Sequence, residues 1–296
     1  MSLRLTSVAR RCRALALALA AAAICGCAEA PENRPEFETP SAPPKRIVSL
    51  APNVTEILFA LGVGGRVVGV TTQDNYPPEA ASKEKIGDAS SNIEKVLSLK
   101  PDLVIGHAFL NSRALDALQT LSVPVLGVEA KDLASVGESV RKVAARCGVQ
   151  DRGDEIAAEM DGFFGKIRNG YGNVKGRPAV LFAAQANPLW AAGSRTFVDE
   201  MIRLAGGENV GGDAGEEFAV LSEEVAVSRD PEFILVTDEP ALRHFKTSKA
   251  WAGVRAVKNS RVILVNPDLY LRPGPRLVEG QKELCRLLHP EVEVPG

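Results

Sequence analysis

The chain has 296 residues, 45% of them hydrophobic and 24% charged, with 35 Lys and Arg against 37 Asp and Glu. That length leaves room for two lobes. A charge so near balance argues against a nucleic-acid partner, because binding phosphates takes a basic patch.

Residues 1–26 place Arg4, Arg10, Arg11 and Arg13 ahead of an apolar run from Ala14 to Ile24. The run is too short to span a bilayer and has the layout of an export signal; the alternative is an uncleaved membrane anchor. It ends in ICGC, which resembles a bacterial lipobox and points to Cys27 as the lipidated N-terminus after cleavage. With the leader gone, the 35 basic residues lose four, and the net charge of the remainder is −6. Residues 27–44 are rich in Pro and acidic groups and read as an extended tether. The expected location is the cell envelope, with the folded part on the periplasmic or extracytoplasmic face. Cys147 and Cys285 remain in the folded part; an exported protein can pair them, but we read two buried thiols.

From Arg46 to Gly62 the chain reads RIVSLAPNVTEILFALG, an apolar run, a polar crossing and an amphipathic stretch. This is a strand feeding a helix, with Asn53 or Thr55 either capping the helix or meeting a ligand. Alternation continues through VVGVT, NIEKVLSL, DLVIG, SRALDALQTL and VPVLGV, the pattern of βαβ units on a parallel sheet. Ile156, Met160, Phe163, Phe164 and Ile167 recur at helical spacing, predicting one long helix from about Asp151 to Tyr171. The second half repeats the pattern with AVLFAA, TFVDEMIRLAG, SEEVAVS, EFILVT and RVILVN before a last helix through Leu288. The expected organisation is therefore α/β: a first lobe at 45–149, a linking helix at 150–174, and a second lobe at 175–290. NIEKVLSLKPDLVI also aligns with SEEVAVSRDPEFILV, matching Asn92 to Ser222, Glu94 to Glu224 and Pro101 to Pro231. Like lobes in one chain suggest a ligand in the cleft between them.

Enzymatic motifs are not evident. GVGGRVVGV follows a helix and opens a strand, the reverse of a dinucleotide fingerprint. Neither GxxxxGK[ST] nor GxSxG occurs. His107, His244 and His289 lie far apart in sequence and lack metal-ligand spacing, so no resident metal or cofactor is expected.

The stretches SLAPNVTEILFALG, VVGVTTQDNYPPEA, NIEKVLSLKPDLVI, NPLWAAGSRTFVDEMIRLAGGENV and NPDLYLRPGPRLVEGQKELCRLL together resemble the vitamin B12 (cobalamin) periplasmic-binding proteins. These sit within the wider group of substrate-binding proteins that serve ABC importers of iron-siderophores, haem and B12. The resemblance implies two Rossmann-like lobes joined by a backbone helix, no catalysis, a monomer, and capture of cobalamin or a related corrinoid for the permease subunits. By position it places Asn53, Gln73, His107, Trp190, Asp268, Tyr270 and Arg272 at the ligand, and Glu94 and Glu224 as pegs that dock the lobes on the importer. Trp190 and Tyr270 suit a large flat ligand, core packing being the alternative. His107 is either a loop histidine or an imidazole offered to a metal centre or a ligand amide. Haem or a ferric siderophore is the alternative cargo, which Arg272 and Arg276 would favour if anionic. A periplasmic enzyme or sensor reusing the fold is the alternative of another class. The disulfide partner many relatives carry before GGEN is here Ala205, which leaves Cys285 without it.

Overall fold

The computed structural model describes residues 42–88, 92–172 and 174–296. The expected leader, the lipidation site Cys27 and most of the tether lie outside these residues. The described residues form one compact unit.

The first lobe is a five-stranded sheet in the order β3-β2-β1-β4-β5, with β1 Ile47–Ser49, β2 Val67–Val70, β3 Glu84–Lys85, β4 Leu103–His107 and β5 Val125–Val128. Every pairing is parallel. Helices cover both faces of such a sheet, so the inner strands read as unbroken apolar runs: Ile47, Val48 and Leu103–Ile105 are buried. The crossing helices are α1 Pro52–Ala60, α2 Pro78–Ala81, α3 Ile93–Ser98 and α4 Ser112–Thr120.

Helix α1 begins earlier than expected. Its N-cap is Ala51, Pro52 occupies the first turn, and no side chain caps it. Proline lacks only an N–H that would be unpaired there anyway, and its ring presets the helical φ. Asn53 and Thr55 are therefore inside the helix rather than before it.

Helix α5, Leu133–Cys147, starts with a capping box between Asp132 and Ser135 and stops at Gly148 in the left-handed region. It turns directly into α6, Gln150–Tyr171, the long helix predicted from Asp151. The five predicted apolar positions of α6 are all buried. Gly153 lets the pair approach closely, because a Cβ there would overlap Ala144.

The second lobe departs from the parallel pattern read in the sequence. Its sheet runs β11-β10-β6-β7-β9, with β8 also on β6; the strands are β6 Ala179–Ala186, β7 Leu189–Ala191, β8 Glu208–Asn209, β9 Ala219–Val220, β10 Phe233–Val236 and β11 Val262–Leu264. β10, β11 and β8 run parallel, but β7 pairs antiparallel with both β6 and β9. The reason is local: only Asn187 and Pro188 separate β6 from β7, and a two-residue connection permits only a hairpin. The remaining helices are α7 Phe197–Leu204, α8 Glu223–Ser228, α9 Glu239–Thr247, α10 Arg255–Lys258 and α11 Leu277–Leu288.

The internal repeat holds in backbone detail. α3 and α8 each end in a left-handed residue before a proline and a central strand, Lys100 at φ 47 and Asp230 at φ 46. The caps differ. Asn92 accepts from the Lys95 N–H at 3.0 Å, whereas the Ser222 hydroxyl donates to the Glu224 carboxylate at 2.6 Å and caps nothing.

One apolar cluster runs from Ile47 and α1 through α5 and α6 into Phe182, α7 and α11, so the lobes share a core. Cys147 and Cys285 are buried in it as free thiols. Burial pushes the Cys147 thiol up to about 11, which keeps it protonated and unreactive.

Candidate functional site

Ligands of open α/β sheets bind beyond the carboxyl ends of the strands. Here the segments leaving β1, β2, β4 and β5 face the β6–β7 hairpin and the segment after β11 across a cleft of about 760 Å³. The first lobe contributes Leu50–Asn53, Gln73, His107, Phe109, Leu110 and Glu129–Lys131; the second contributes Trp190, Arg195–Phe197, Glu217, Phe218, Asp268, Leu271 and Arg272. The mouth is apolar: Phe109 is 74% exposed, Leu110 70% and Trp190 39%.

Six sequence-predicted residues, Asn53, Gln73, His107, Trp190, Asp268 and Arg272, line this cleft. Tyr270 does not. Asp268, Leu271 and Arg272 flank it towards the cleft, while its own ring turns back into the core, fully buried against Phe182 at 5.8 Å. Its hydroxyl donates to the Gly280 carbonyl at 3.1 Å, and burial pushes its pKa far up. Tyr270 thus packs in the core, the alternative weighed for it, and its side chain does not line the cleft.

Arg272 is already engaged. It donates to Glu56 Oε1 at 3.0 Å, Asn75 Oδ1 at 2.7 Å and the Gln73 carbonyl at 3.1 Å, and pairs with Asp268 at 2.8 Å. Arg276 reaches the same Glu56 oxygen at 3.0 Å and lies 3.8 Å from the Tyr76 ring centroid. Burial pushes the Glu56 carboxyl up, and the two guanidiniums pull against that. These contacts bind the segment after β11 to the first lobe. Asn53 adds Nδ2–H to the Pro273 carbonyl at 3.4 Å, and Glu200 of α7 accepts from the Leu133 N–H at the start of α5 at 2.9 Å.

The second-lobe wall depends on close backbone approach. Ser194 and Arg195 donate to the carbonyls of Gly215 and Glu216 at 2.9 Å each. A Cβ on Gly193 would overlap the carbonyl oxygens of Gly215 and Glu217, so the stretch AAGSRT requires glycine there.

The geometry has counterparts among known proteins. The family described as "Periplasmic binding protein" matches residues 47–269. The chain belongs to the periplasmic binding protein family. The ABC transporter substrate-binding lipoprotein YvrC of Bacillus subtilis, itself uncharacterized, is 35% identical over 255 residues, covering 84% of this chain and 81% of the relative. The apo structure of the periplasmic heme-binding protein RhuT from Roseiflexus sp. RS-1 superposes with a TM-score of 0.74 at 32% identity, over 83% of this chain and 98% of that one. The periplasmic vitamin B12 binding protein BtuF of Vibrio cholerae gives 0.73 at 28% identity, over 83% and 97%. This periplasmic binding protein is thus the substrate-binding component of an ABC transporter and not an enzyme. The enzyme alternative of the sequence reading is set aside on that ground.

Glu94 and Glu224 stand exposed in the first turns of α3 and α8, one on each lobe. Phe109, Leu110 and Glu56 escaped the sequence reading. HAFL offered a signal for the first two: two large apolar residues directly after a strand and before α4 begins at Ser112, where no helical face needs them. Glu56 offered none, since its partners lie 216 and 220 residues further on.

Proposed function

We propose that this periplasmic binding protein captures cobalamin or a related corrinoid between its lobes, one per monomer, and delivers it to the permease subunits of its importer. The charge balance of the cleft carries this reading. Each cation lining it faces a carboxylate: Lys131 with Glu129 at 3.7 Å, Arg195 with Glu216 at 3.1 Å, and Arg272 with Glu56 and Asp268. Haem propionates and many siderophores bring negative charge that a partner must neutralise, and burying an unpaired charge is expensive. A corrinoid is a flat, overall neutral ring fringed with carboxamides, which suits an apolar mouth and a neutral polar floor. The similarity to BtuF, a vitamin B12 binding protein, supports the same cargo.

In this reading Asn53, Gln73, His107, Trp190 and Asp268 meet the ligand, and Arg272 holds the floor. Glu94 and Glu224 dock the two lobes on a two-fold importer. Lipid on Cys27 holds the protein at the membrane, as the lipoprotein name of YvrC supports. Haem is the second reading, favoured by the 32% identity with RhuT. Titration of the purified mature protein with cyanocobalamin, hemin and a ferric hydroxamate, followed by absorption and calorimetry, separates them. One cobalamin per chain is expected; no heat with any corrinoid alongside saturable hemin binding would overturn the proposal.

A further inference from the structure

His107 is the last residue of β4 and projects into the cleft, half-buried, and its own loop fixes its ring. The backbone N–H groups of Phe109 and Leu110 both donate to its Nδ1, at 3.2 and 3.3 Å. The turn is closed again by the His107 N–H to Asn111 Oδ1 at 2.7 Å and the Asn111 N–H to the His107 carbonyl at 2.9 Å. Nδ1 therefore acts as an acceptor and carries no proton. In a neutral imidazole the proton then sits on Nε2. Protonating the ring would set a third N–H against two others, and burial likewise holds the imidazole below its ordinary pKa, opposed by Glu129 at the cleft wall.

We propose that His107 is a specificity-determining donor, its Nε2–H serving a carbonyl oxygen of the ligand and not a metal centre. The inference rests on the corrinoid reading and sharpens it. A histidine that ligates metal through Nε2 keeps its proton on Nδ1 and gives that N–H to a carboxylate, a carbonyl or water. Here Nδ1 meets two donors instead, so ligation at Nε2 would force N–H against N–H and break the turn that carries Phe109 and Leu110. A carboxamide oxygen at the edge of a corrinoid needs only the donor that the loop already presents.

Two measurements test this. Long-range ¹H–¹⁵N correlation on the ¹⁵N-histidine-labelled mature protein reads the tautomer without ligand: the Nε2–H form is expected, and the Nδ1–H form would overturn the proposal. Absorption spectra with aquocobalamin and with hemin then read metal ligation. The expected result is no imidazole-ligated spectrum; one that appears in the wild type and vanishes in His107→Phe would overturn it. His107→Phe is expected to weaken cobalamin about tenfold, and His107→Gln, which keeps an N–H donor, to recover most of that. Equal losses in the two variants would count against the donor role. If hemin binds and cobalamin does not, the corrinoid reading fails alone, and the hemin spectrum together with the tautomer still decides the role of His107.

Discussion

Replacing Gly193 with Ala adds one methyl group at the place where two loops of the second lobe meet. The added Cβ would overlap the carbonyl oxygens of Gly215 and Glu217, which are backbone atoms and cannot rotate aside. Overpacking of this kind costs about 1–3 kcal/mol. The two backbone hydrogen bonds beside it, Ser194 to Gly215 and Arg195 to Glu216, contribute about 1 kcal/mol each and lengthen when the loops part. A loss of about 3 kcal/mol is expected, which for a unit of this size lowers Tm by about 6–12 °C. Glu217 and Phe218 follow the displaced backbone, so affinity for the ligand falls with stability. Urea unfolding followed by the fluorescence of Trp190 and Trp251, the two tryptophans of the chain, measures the first effect, and ligand titration the second. Gly253→Ala is the control, since a Cβ there meets nothing within 4 Å. If Gly193→Ala unfolds within about 0.5 kcal/mol of the wild type and binds as well, the close-approach argument is wrong.

Trp190→Ala is expected to weaken corrinoid binding by about 1–3 kcal/mol in calorimetry, with little change in unfolding midpoint, because the ring is partly exposed at the mouth. Tyr270→Phe should do the opposite: about 1 kcal/mol of stability lost with the bond to Gly280, and ligand affinity unchanged. Changing both Glu94 and Glu224 to Gln should leave ligand binding intact and abolish stimulation of the importer ATPase; a wild-type transport rate in the double variant would refute docking. The His107 imidazole, held down by burial, contributes stability that is fully present above its unfolded pKa of about 6.5 and is lost as pH falls through its folded value. Unfolding midpoints measured downwards from pH 7 should therefore fall more steeply for the wild type than for His107→Phe.

Helix α6 was legible because its five apolar positions share one face, and the first sheet because buried parallel strands carry unbroken apolar runs. The antiparallel β7 was not, since LWA reads alike in either direction and only its two-residue connection to β6 settles the matter. The polar and proline-rich neighbours of Trp190 suggested a loop; it lies instead in β7, with its ring at the cleft mouth. The same reasoning misplaced Tyr270, because DLYLR folds into a short 3₁₀ turn at Pro267–Leu269 that sends adjacent side chains to opposite sides. The sequence shows Arg272 and Arg276 as two free charges. Only the tertiary arrangement brings Glu56 between them, which removes their pull on an anionic ligand.

The apolar cluster that passes from the first sheet through α5 and α6 to α11 makes the two halves thermodynamically inseparable. Melting one half would strip apolar cover from the other, so unfolding is expected as a single transition. Any compound held by the native state then stabilises the whole folded unit through mass action, by about 2.7 kcal/mol at a concentration about a hundred times Kd, and raises its melting temperature accordingly. A corrinoid gripped mainly by one wall of the cleft would register as fully as one gripped by both. A single melting curve per compound can therefore rank unrelated cargoes on one scale.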